Sequence, residues 1–334
     1  MISRSSAALM IAAPLALLYA SLLIGRFPAP PVEVSRILLS HFAVLGRDWP
    51  ASLETIVLEI RLPRAVLAMC VGAGLAASGA AFQGLFRNPL VSPDILGVSA
   101  AAGCGAALAM LLSVNPFALQ LVSFGFGLLG VLLTYLLART YRATPTLMLV
   151  LSGVVVAAFF GALLSAAKYL ADPESRLPAI TYWLMGSLNG ASGRTLLTVL
   201  PPLIAGIAGL MLVRWQLNVL AMGEEEARAL GVRTELLKAV VIVCATLITA
   251  ASVSVCGVVS WVGLVVPHLG RMLVGPDHRL LLPATLSIGA TFLLGIDDIA
   301  RTATASEIPL GILTAVIGAP FFAWLLRRTR GNWQ

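Results

Sequence analysis

Long apolar stretches separated by short polar connections form the main pattern of this chain. Ten stretches each have roughly the 20 apolar residues that an α-helix needs to cross the hydrocarbon core of a bilayer. Several contain Gly or Pro, which membrane helices tolerate when their neighbours satisfy the freed backbone groups. The stretches are 7–24, 63–86, 95–114, 116–138, 145–170, 195–213, 236–256, 257–274, 280–296 and 307–326. We therefore predict an all-α polytopic membrane protein of about ten transmembrane helices, with one transmembrane domain over 1–334.

Two of the polar connections are long, and a third carries an unusual charge pattern. Residues 25–62 and 171–194 are amphipathic and contain Pro, which predicts short surface helices. The third connection, 220–233, contains the motif GEEEARALGV and separates the sixth stretch from the seventh. Within the second stretch, small residues favour close packing between helices. These are Gly72, Gly74, Ala76, Ser78 and Gly79.

The composition agrees with a membrane protein. Only 11% of residues are charged, against about 25% in soluble proteins. The net charge of +7 comes without a long basic run, so the sequence does not indicate binding to nucleic acid. With the N-terminus inside, more of the 22 lysines and arginines fall on the inner side, which predicts that both termini are cytoplasmic. The first stretch could also be a signal peptide, but a retained helix balances the count of spans.

Candidate chemistry is sparse. The four cysteines lie in apolar stretches without the spacing of a metal or redox site, so we predict no metal ligands. The middles of the stretches contain no charged residue, which argues against a proton-coupled carrier and leaves a sodium-coupled one open. Neither lysine, Lys168 or Lys238, lies in a P-loop, because Ala167 and Leu237 precede them. We therefore expect no nucleotide or other cofactor on this chain, and active transport would need an energy-supplying partner.

The motif GEEEARALGV predicts a short surface helix. Three glutamates favour a helix N-terminus through the macrodipole, and Glu224 can pair with Arg228 one turn later. Gly231 can end the helix in the left-handed conformation. We also predict a small apolar face, formed by Ala227, Ala229 and Leu230. Such a helix could dock onto another protein, or the segment could be a solvated loop that only spaces two spans.

Three further polar groups lie near the ends of the stretches. Arg61 and Arg64 of the motif RLPR stand at the outer mouth of the second stretch, where arginines are often snorkelling anchors. His268 has no second metal ligand at a suitable spacing, so we favour a structural or interfacial role for it. The inner-side motif comprises Arg87, Asn88, Pro89, Pro267, His268 and Arg271.

Together these motifs resemble the FecCD-type permease subunits of type II ABC importers for iron-siderophores, haem and vitamin B12. The matching runs are RLPR at 61–64, SGAAFQGLFRNPLVSPDILGVS at 78–99, GEEEARALGV at 223–232, GVVSWVGLVVPHLGRMLVGPDHR at 257–279 and EIPLGILTAVIGAPFFAWLLRR at 307–328. They occur in the family's order over about residues 55–328. The resemblance implies a homodimeric permease of ten spans in the inner membrane of a prokaryote. It also implies that the permease is a transport subunit and not an enzyme.

The resemblance also implies partners. Two cytoplasmic ATPase subunits, which bind ATP and Mg²⁺, would seat on the coupling residues Gly223, Glu224, Glu225, Glu226, Ala227, Arg228, Ala229, Leu230 and Gly231. A periplasmic or lipid-anchored binding protein would dock through its acidic residues onto Arg61, Arg64 and Arg301. The cargo pathway would lie between two copies, around 145–190 and 307–326. The expected cargo is a ferric siderophore or haem, with cobalamin and molybdate as alternatives and an ion-coupled carrier as the more distant one.

Overall fold

The computed structural model of the chain describes residues 4–40, 47–139 and 144–328. Those residues form helices and contain no strand, so the prediction of an all-α protein is confirmed. In chain order the elements are α1 (Arg4–Leu23), α2 (Pro31–Leu39), α3 (Ala51–Thr55), a π-helical turn (Ile56–Arg61), α4 (Leu62–Leu85), a 3-10 turn (Pro93–Leu96), α5 (Val98–Leu111), α6 (Pro116–Ala138), α7 (Thr146–Leu170), α8 (Arg176–Leu184), α9 (Gly193–Met222), α10 (Glu224–Ala229), α11 (Thr234–Cys256), α12 (Val262–Val274), α13 (His278–Thr302) and α14 (Leu310–Arg328).

Ten of these helices correspond to the ten predicted stretches. In the described part of the chain, six helical stretches are long and apolar enough to cross a membrane: Ala51–Leu85, α6, α7, α9, α11 and α13. The apolar parts of α1, α5, α12 and α14 are shorter. A polytopic membrane protein is therefore supported, while the exact number of spans and the positions of the termini stay predictions.

The helix α4 forms the centre of the bundle. In the most apolar 18 residues of the stretch Ala51–Leu85, which contains α4, 78% of the residues are buried. The corresponding share is 28% for α7 and 22% for α9, which face outward. Small residues allow this central position, as predicted. A Cβ atom added to Gly72 would lie 2.2 Å from the carbonyl oxygen of Gly289, and one added to Gly79 would lie 1.8 Å from that of Gly263. The backbones of α13 and α12 therefore approach α4 more closely than any larger residue allows.

Several predicted helix ends are wrong, and two of the corrections matter for the sites. The helix α9 continues past residue 213 to Met222. Its 30 residues span about 45 Å, which exceeds a hydrocarbon core of about 30 Å. The helix α13 continues past residue 296 to Thr302, so Asp297, Asp298 and Arg301 lie in its last turns. These polar side chains pair with one another, so the helix extends beyond its apolar part.

The long connections contain short helices, as predicted. The amphipathic helix α2 buries Val34 and Ile37, and α8 lies in the connection between α7 and α9. We call the end of the bundle that carries α10 the inner end and the opposite end, which carries α8, the outer end, following the predicted orientation.

Candidate functional site

The predicted helix at the inner end is present. It runs from Glu224 to Ala229, Glu224 pairs with Arg228 at 3.4 Å, and Gly231 ends it with φ +82°. Gly223 before it is buried at φ +146°, and a Cβ atom there would lie 1.8 Å from a carboxylate oxygen of Glu226. The glycines at both ends are therefore required by the backbone.

The predicted apolar face of this helix is wrong. Ala227 is fully buried against the protein, and its carbonyl oxygen accepts a hydrogen bond from the amide of Val232 at 2.9 Å. Leu230, in contrast, is 61% exposed. The exposed residues are Glu225, Glu226, Arg228, Ala229 and Leu230. The helix thus presents mixed charge around one exposed leucine, because the turn that ends it places Ala227 and Leu230 on different sides.

The two halves of the inner-side motif have different settings. Arg87 (φ +49°) and Asn88 are exposed in the turn after α4, where the Asn88 side chain accepts a hydrogen bond from the amide of Leu90 at 2.9 Å. Pro89 follows in the same turn. The other half lies inside α12, the helix that corresponds to the eighth predicted stretch, near whose inner end the sequence places it. Its members are Pro267, His268 and Arg271.

Two carboxyl groups in the inner connections have opposite pKa shifts. Burial raises the pKa of Asp94, although its carboxylate accepts a hydrogen bond from Ser99. The pKa of Asp277 is lowered by the backbone amide of Arg279 and by the side chain of Asn218. Asp277 thereby caps the N-terminus of α13 as a carboxylate. In the part of the chain with described coordinates, no group of three His, Cys, Asp or Glu side chains could hold a metal ion.

At the outer end, Arg61 and Arg301 bind the last turn of α1 and the residues that follow it. Arg61 is 6% exposed and donates to the carbonyl oxygens of Leu22 at 2.7 Å and Phe27 at 2.6 Å. Arg301 donates to the carbonyl oxygen of Ile24 at 2.6 Å and pairs with Asp298. Both arginines therefore satisfy the free carbonyl groups at the end of a helix.

Arg64 lies in a cage of carboxylates that connects three segments. Its guanidinium group is 2.8 Å from Asp297 of α13 and 2.9 Å from Glu307, just before α14. It also donates to the side chain of Asn189, in the connection between α8 and α9, at 3.1 Å. All three predicted docking arginines thus already make internal contacts, and their binding to a partner stays a prediction.

The connection after α8 is fastened to its neighbours by backbone hydrogen bonds. The amide of Ser187 donates a hydrogen bond to the carbonyl oxygen of Cys256 at 2.8 Å. The amide of Leu310 donates to the carbonyl oxygen of Gly186, and the amide of Gly311 to that of Met185, both at 2.9 Å. The connection that leads from α7 into α9 is therefore tied to the ends of α11 and α14.

A cavity of about 1100 Å³ opens beside this connection. Apolar and aromatic side chains of α5, α6 and α8 line it, including Phe117, Tyr182 and Trp183. Its polar lining consists largely of neutral groups such as Asn115, Gln120 and Asn189, with Arg194 at the start of α9. The amphipathic sequence of α8 by itself indicates only a surface helix, although its residues fall inside the region 145–190 that the resemblance implies for the pathway.

Comparison with known proteins agrees with this architecture. The model of the FecCD transport family matches residues 12–328. The chain is 40% identical to the molybdate import permease MolB of Haemophilus influenzae, over 93% of this chain and 91% of that protein. It is 43% identical to the cobalamin import permease BtuC of Halobacterium salinarum, over 91% and 80%. A solved structure described as an inward-facing metal-chelate type ABC transporter superposes with a TM-score of 0.84 and 37% identity, over 96% of this chain and 97% of that one.

Proposed function

The chain belongs to the FecCD transport family of ABC importer permeases, and we propose that a homodimer of it moves an iron-containing chelate, a ferric siderophore or haem, across the cytoplasmic membrane of a prokaryote. Two cytoplasmic ATPase subunits drive the movement, and a periplasmic or lipid-anchored protein delivers the cargo. The permease itself binds no cofactor and catalyses no reaction.

The exposed surface of α10 supports the position of the ATPase contact. It presents two exposed acidic residues, Glu225 and Glu226, together with Arg228 and one exposed leucine at the inner end, and α9 carries it beyond the apolar core. A charged rim around an apolar anchor is typical of protein interfaces. ATP hydrolysis by the partner would displace α10, and the bundle would respond by opening the pathway to one side at a time.

At the outer end, the binding protein would meet the surface around Arg61, Arg64 and Arg301. These arginines are 6–13% exposed, so acidic side chains of a partner would have to share or replace their internal carboxylate and carbonyl contacts. Reversing the charge of the arginines would disturb the fold itself. Docking is therefore better tested by neutralising the acidic residues of the binding protein and by measuring its affinity at rising salt concentration, where a charge-driven contact weakens.

The outer cavity is the single observation that favours a bulky cargo. Its volume of about 1100 Å³ and its wall of aromatic and neutral polar side chains suit a large, partly apolar chelate. A small oxyanion such as molybdate would instead favour several converging cations or backbone amides. The choice of iron within this class of cargo follows the resemblance and the metal-chelate description of the matching structure.

Molybdate and cobalamin are the second candidates, because two relatives of 40% and 43% identity carry those names. The deciding experiment reconstitutes the permease with its ATPase and binding protein in liposomes. Each vesicle preparation is offered a ⁵⁵Fe-labelled siderophore, haem, cobalamin or molybdate. We expect vanadate-sensitive, ATP-dependent uptake of the iron chelate or haem.

Uptake of molybdate or cobalamin alone would contradict the proposed cargo but not the proposal that the protein is part of an ABC importer. Uptake that follows an ion gradient and ignores ATP and vanadate would overturn the importer. Empty liposomes and liposomes with the ATPase partner omitted are the matched controls.

A further inference from the structure

A buried lysine connects α10 to the start of α7. Lys238 lies in the second turn of α11 with its side chain only 2% exposed. Its ammonium group is 2.8 Å from Glu224 of α10, 3.1 Å from Glu235 of α11 and 3.1 Å from the carbonyl oxygen of Thr144. One cation therefore joins three separate segments of the inner end.

The two carboxylates extend this contact to the residues that precede α7. Glu235 accepts a hydrogen bond from the amide of Thr144 at 3.0 Å, so both backbone groups of Thr144 are held. Glu224 contacts the hydroxyl of Thr146, the first residue of α7, at 3.5 Å. The start of α7 is thus fixed to α10 through charged groups, and we call Lys238, Glu224, Glu235 and Thr144 the inner charged cluster.

Packing alone does not explain this cluster. A buried cation is costly to desolvate, and an apolar side chain of similar volume often stabilises a fold equally well. Charged contacts have defined directions and lengths, so they fix the relative position of their partners more tightly than apolar packing does. A cavity of about 340 Å³ also borders the cluster, lined by Thr144–Leu147 and by cluster residues and Arg228. The cluster can therefore shift as a unit without overpacking its surroundings.

The helix α7 is placed to carry such a shift across the protein. Its 25 residues span about 37 Å, and its outer end leads through α8 to the connection that borders the outer cavity. We propose that Lys238 is the positioning residue that transmits displacement of α10 to α7. This inference rests on the proposed function, in which the ATPase contacts α10.

The test compares variants in the complete importer, reconstituted in liposomes with ATPase and binding protein. Lys238→Met removes the charge at similar length, and Lys238→Arg keeps it. We expect the ATPase to bind Lys238→Met as it binds the wild type, because the exposed surface of α10 is unchanged. We further expect cargo transported per ATP hydrolysed to fall at least about tenfold, because α10 and the start of α7 are then no longer joined by a charged contact, and Lys238→Arg to recover most of it.

The matched control is Arg36→Met, which removes a cation of α2 that pairs with Asp48 and lies outside both the proposed pathway and the proposed docking residues. It should transport at the wild-type ratio. Wild-type coupling in Lys238→Met would overturn the inference. Absence of ATP-driven uptake in the wild type would overturn the proposed function instead, so the two failures are distinguishable.

A second variant and a distance measurement cover the case in which Lys238→Met does not fold. Glu235→Gln keeps the shape of a side chain that is 35% exposed and weakens its contacts with Lys238 and Thr144. Spin labels at Leu147 and Met222, which are both 68% exposed, report the distance between the start of α7 and the residue that precedes the α10 segment. In the wild type we expect one narrow distance distribution, which persists as nucleotide is added. In Glu235→Gln we expect the distribution to broaden. A broad distribution in the wild type would also overturn the inference.

Discussion

At the scale of single residues, several buried charges of the described chain are held in ion pairs. Arg64 illustrates the energetic consequence. Its guanidinium group lies between Asp297, which is 2% exposed, and Glu307. Removing the cation would leave the buried carboxylate of Asp297 with only the more distant Arg301 at 3.9 Å, and this costs more than removing both charges together.

We therefore expect Arg64→Met to destabilise the protein by about 3–5 kcal/mol. Adding Asp297→Asn to this variant should recover part of the loss, because the buried carboxylate is then absent. The measurement is denaturant unfolding in detergent, followed by tryptophan fluorescence. It compares the wild type, Arg64→Met, Asp297→Asn and the double variant as a double-mutant cycle. Equal stability of Arg64→Met and wild type would show that the cage does not stabilise the bundle.

Residues of α10 separate into those that hold the helix and those that a partner could touch. Glu225→Arg and Leu230→Glu change exposed side chains, so they should leave folding intact and reduce ATPase binding and coupled uptake at least about tenfold. Ala227→Leu would instead disturb the buried turn. Co-purification of the ATPase and thermal unfolding of the permease distinguish the two effects. Normal ATPase binding by both surface variants would place the contact elsewhere.

At the scale of elements, close approach between helices decides which segment lies at the centre. The helices α4 and α6 are both apolar, and hydropathy cannot tell a core helix from a lipid-facing one. The difference lies in the glycines of α4, which meet the backbones of α12 and α13 directly. A bilayer supplies no hydrophobic drive between helices, so this packing has to hold them together.

Substitution of Gly79 should therefore be far more harmful than substitution of an outward glycine. A Cβ atom at Gly79 would overlap the carbonyl group of Gly263, whereas Gly161 of α7 has no heavy atom within 4 Å of such an atom. We expect Gly79→Ala to lose about 3 kcal/mol or more and Gly161→Ala to be neutral or slightly stabilising. Thermal unfolding and the yield of folded protein in detergent measure both. Similar behaviour of the two variants would contradict this packing argument.

At the scale of the whole molecule, the uneven burial of the helices agrees with assembly. The helices α7 and α14 leave large apolar side chains exposed, including Leu151 and Val155 on α7 and Val316 on α14. Lipid or a second copy could cover them. Because the proposed pathway lies between two copies and includes α14, we expect a second copy to cover the exposed side chains of α14.

We expect Val316→Cys, in a background without the four native cysteines, to form an intermolecular cross-link in membranes. Leu132→Cys on α6 is the matched control, because it is similarly exposed but lies on a helix outside the proposed pathway. Gel electrophoresis after mild oxidation measures the dimer. Cross-linking at residue 132 but not at 316 would move the dimer interface to α6.

The sequence by itself determined the class of the protein. Runs of about 20 apolar residues predict membrane helices because the bilayer leaves no other way to satisfy the backbone. The motif GEEEARALGV predicted α10, its Glu224–Arg228 pair and its stop at Gly231, since these depend on neighbours within one or two turns. The ordered family motifs gave the permease role.

Only the tertiary structure decided how the charged residues are used. Ala227 faces inward and Leu230 outward because of the turn after α10, and Arg64 meets Asp297 and Glu307 across more than 200 positions of sequence. Lys238 looks like an ordinary lysine at the end of a membrane helix. Its burial between Glu224 and Thr144 depends on where α10 and α7 meet, and no local pattern in the chain carries that information.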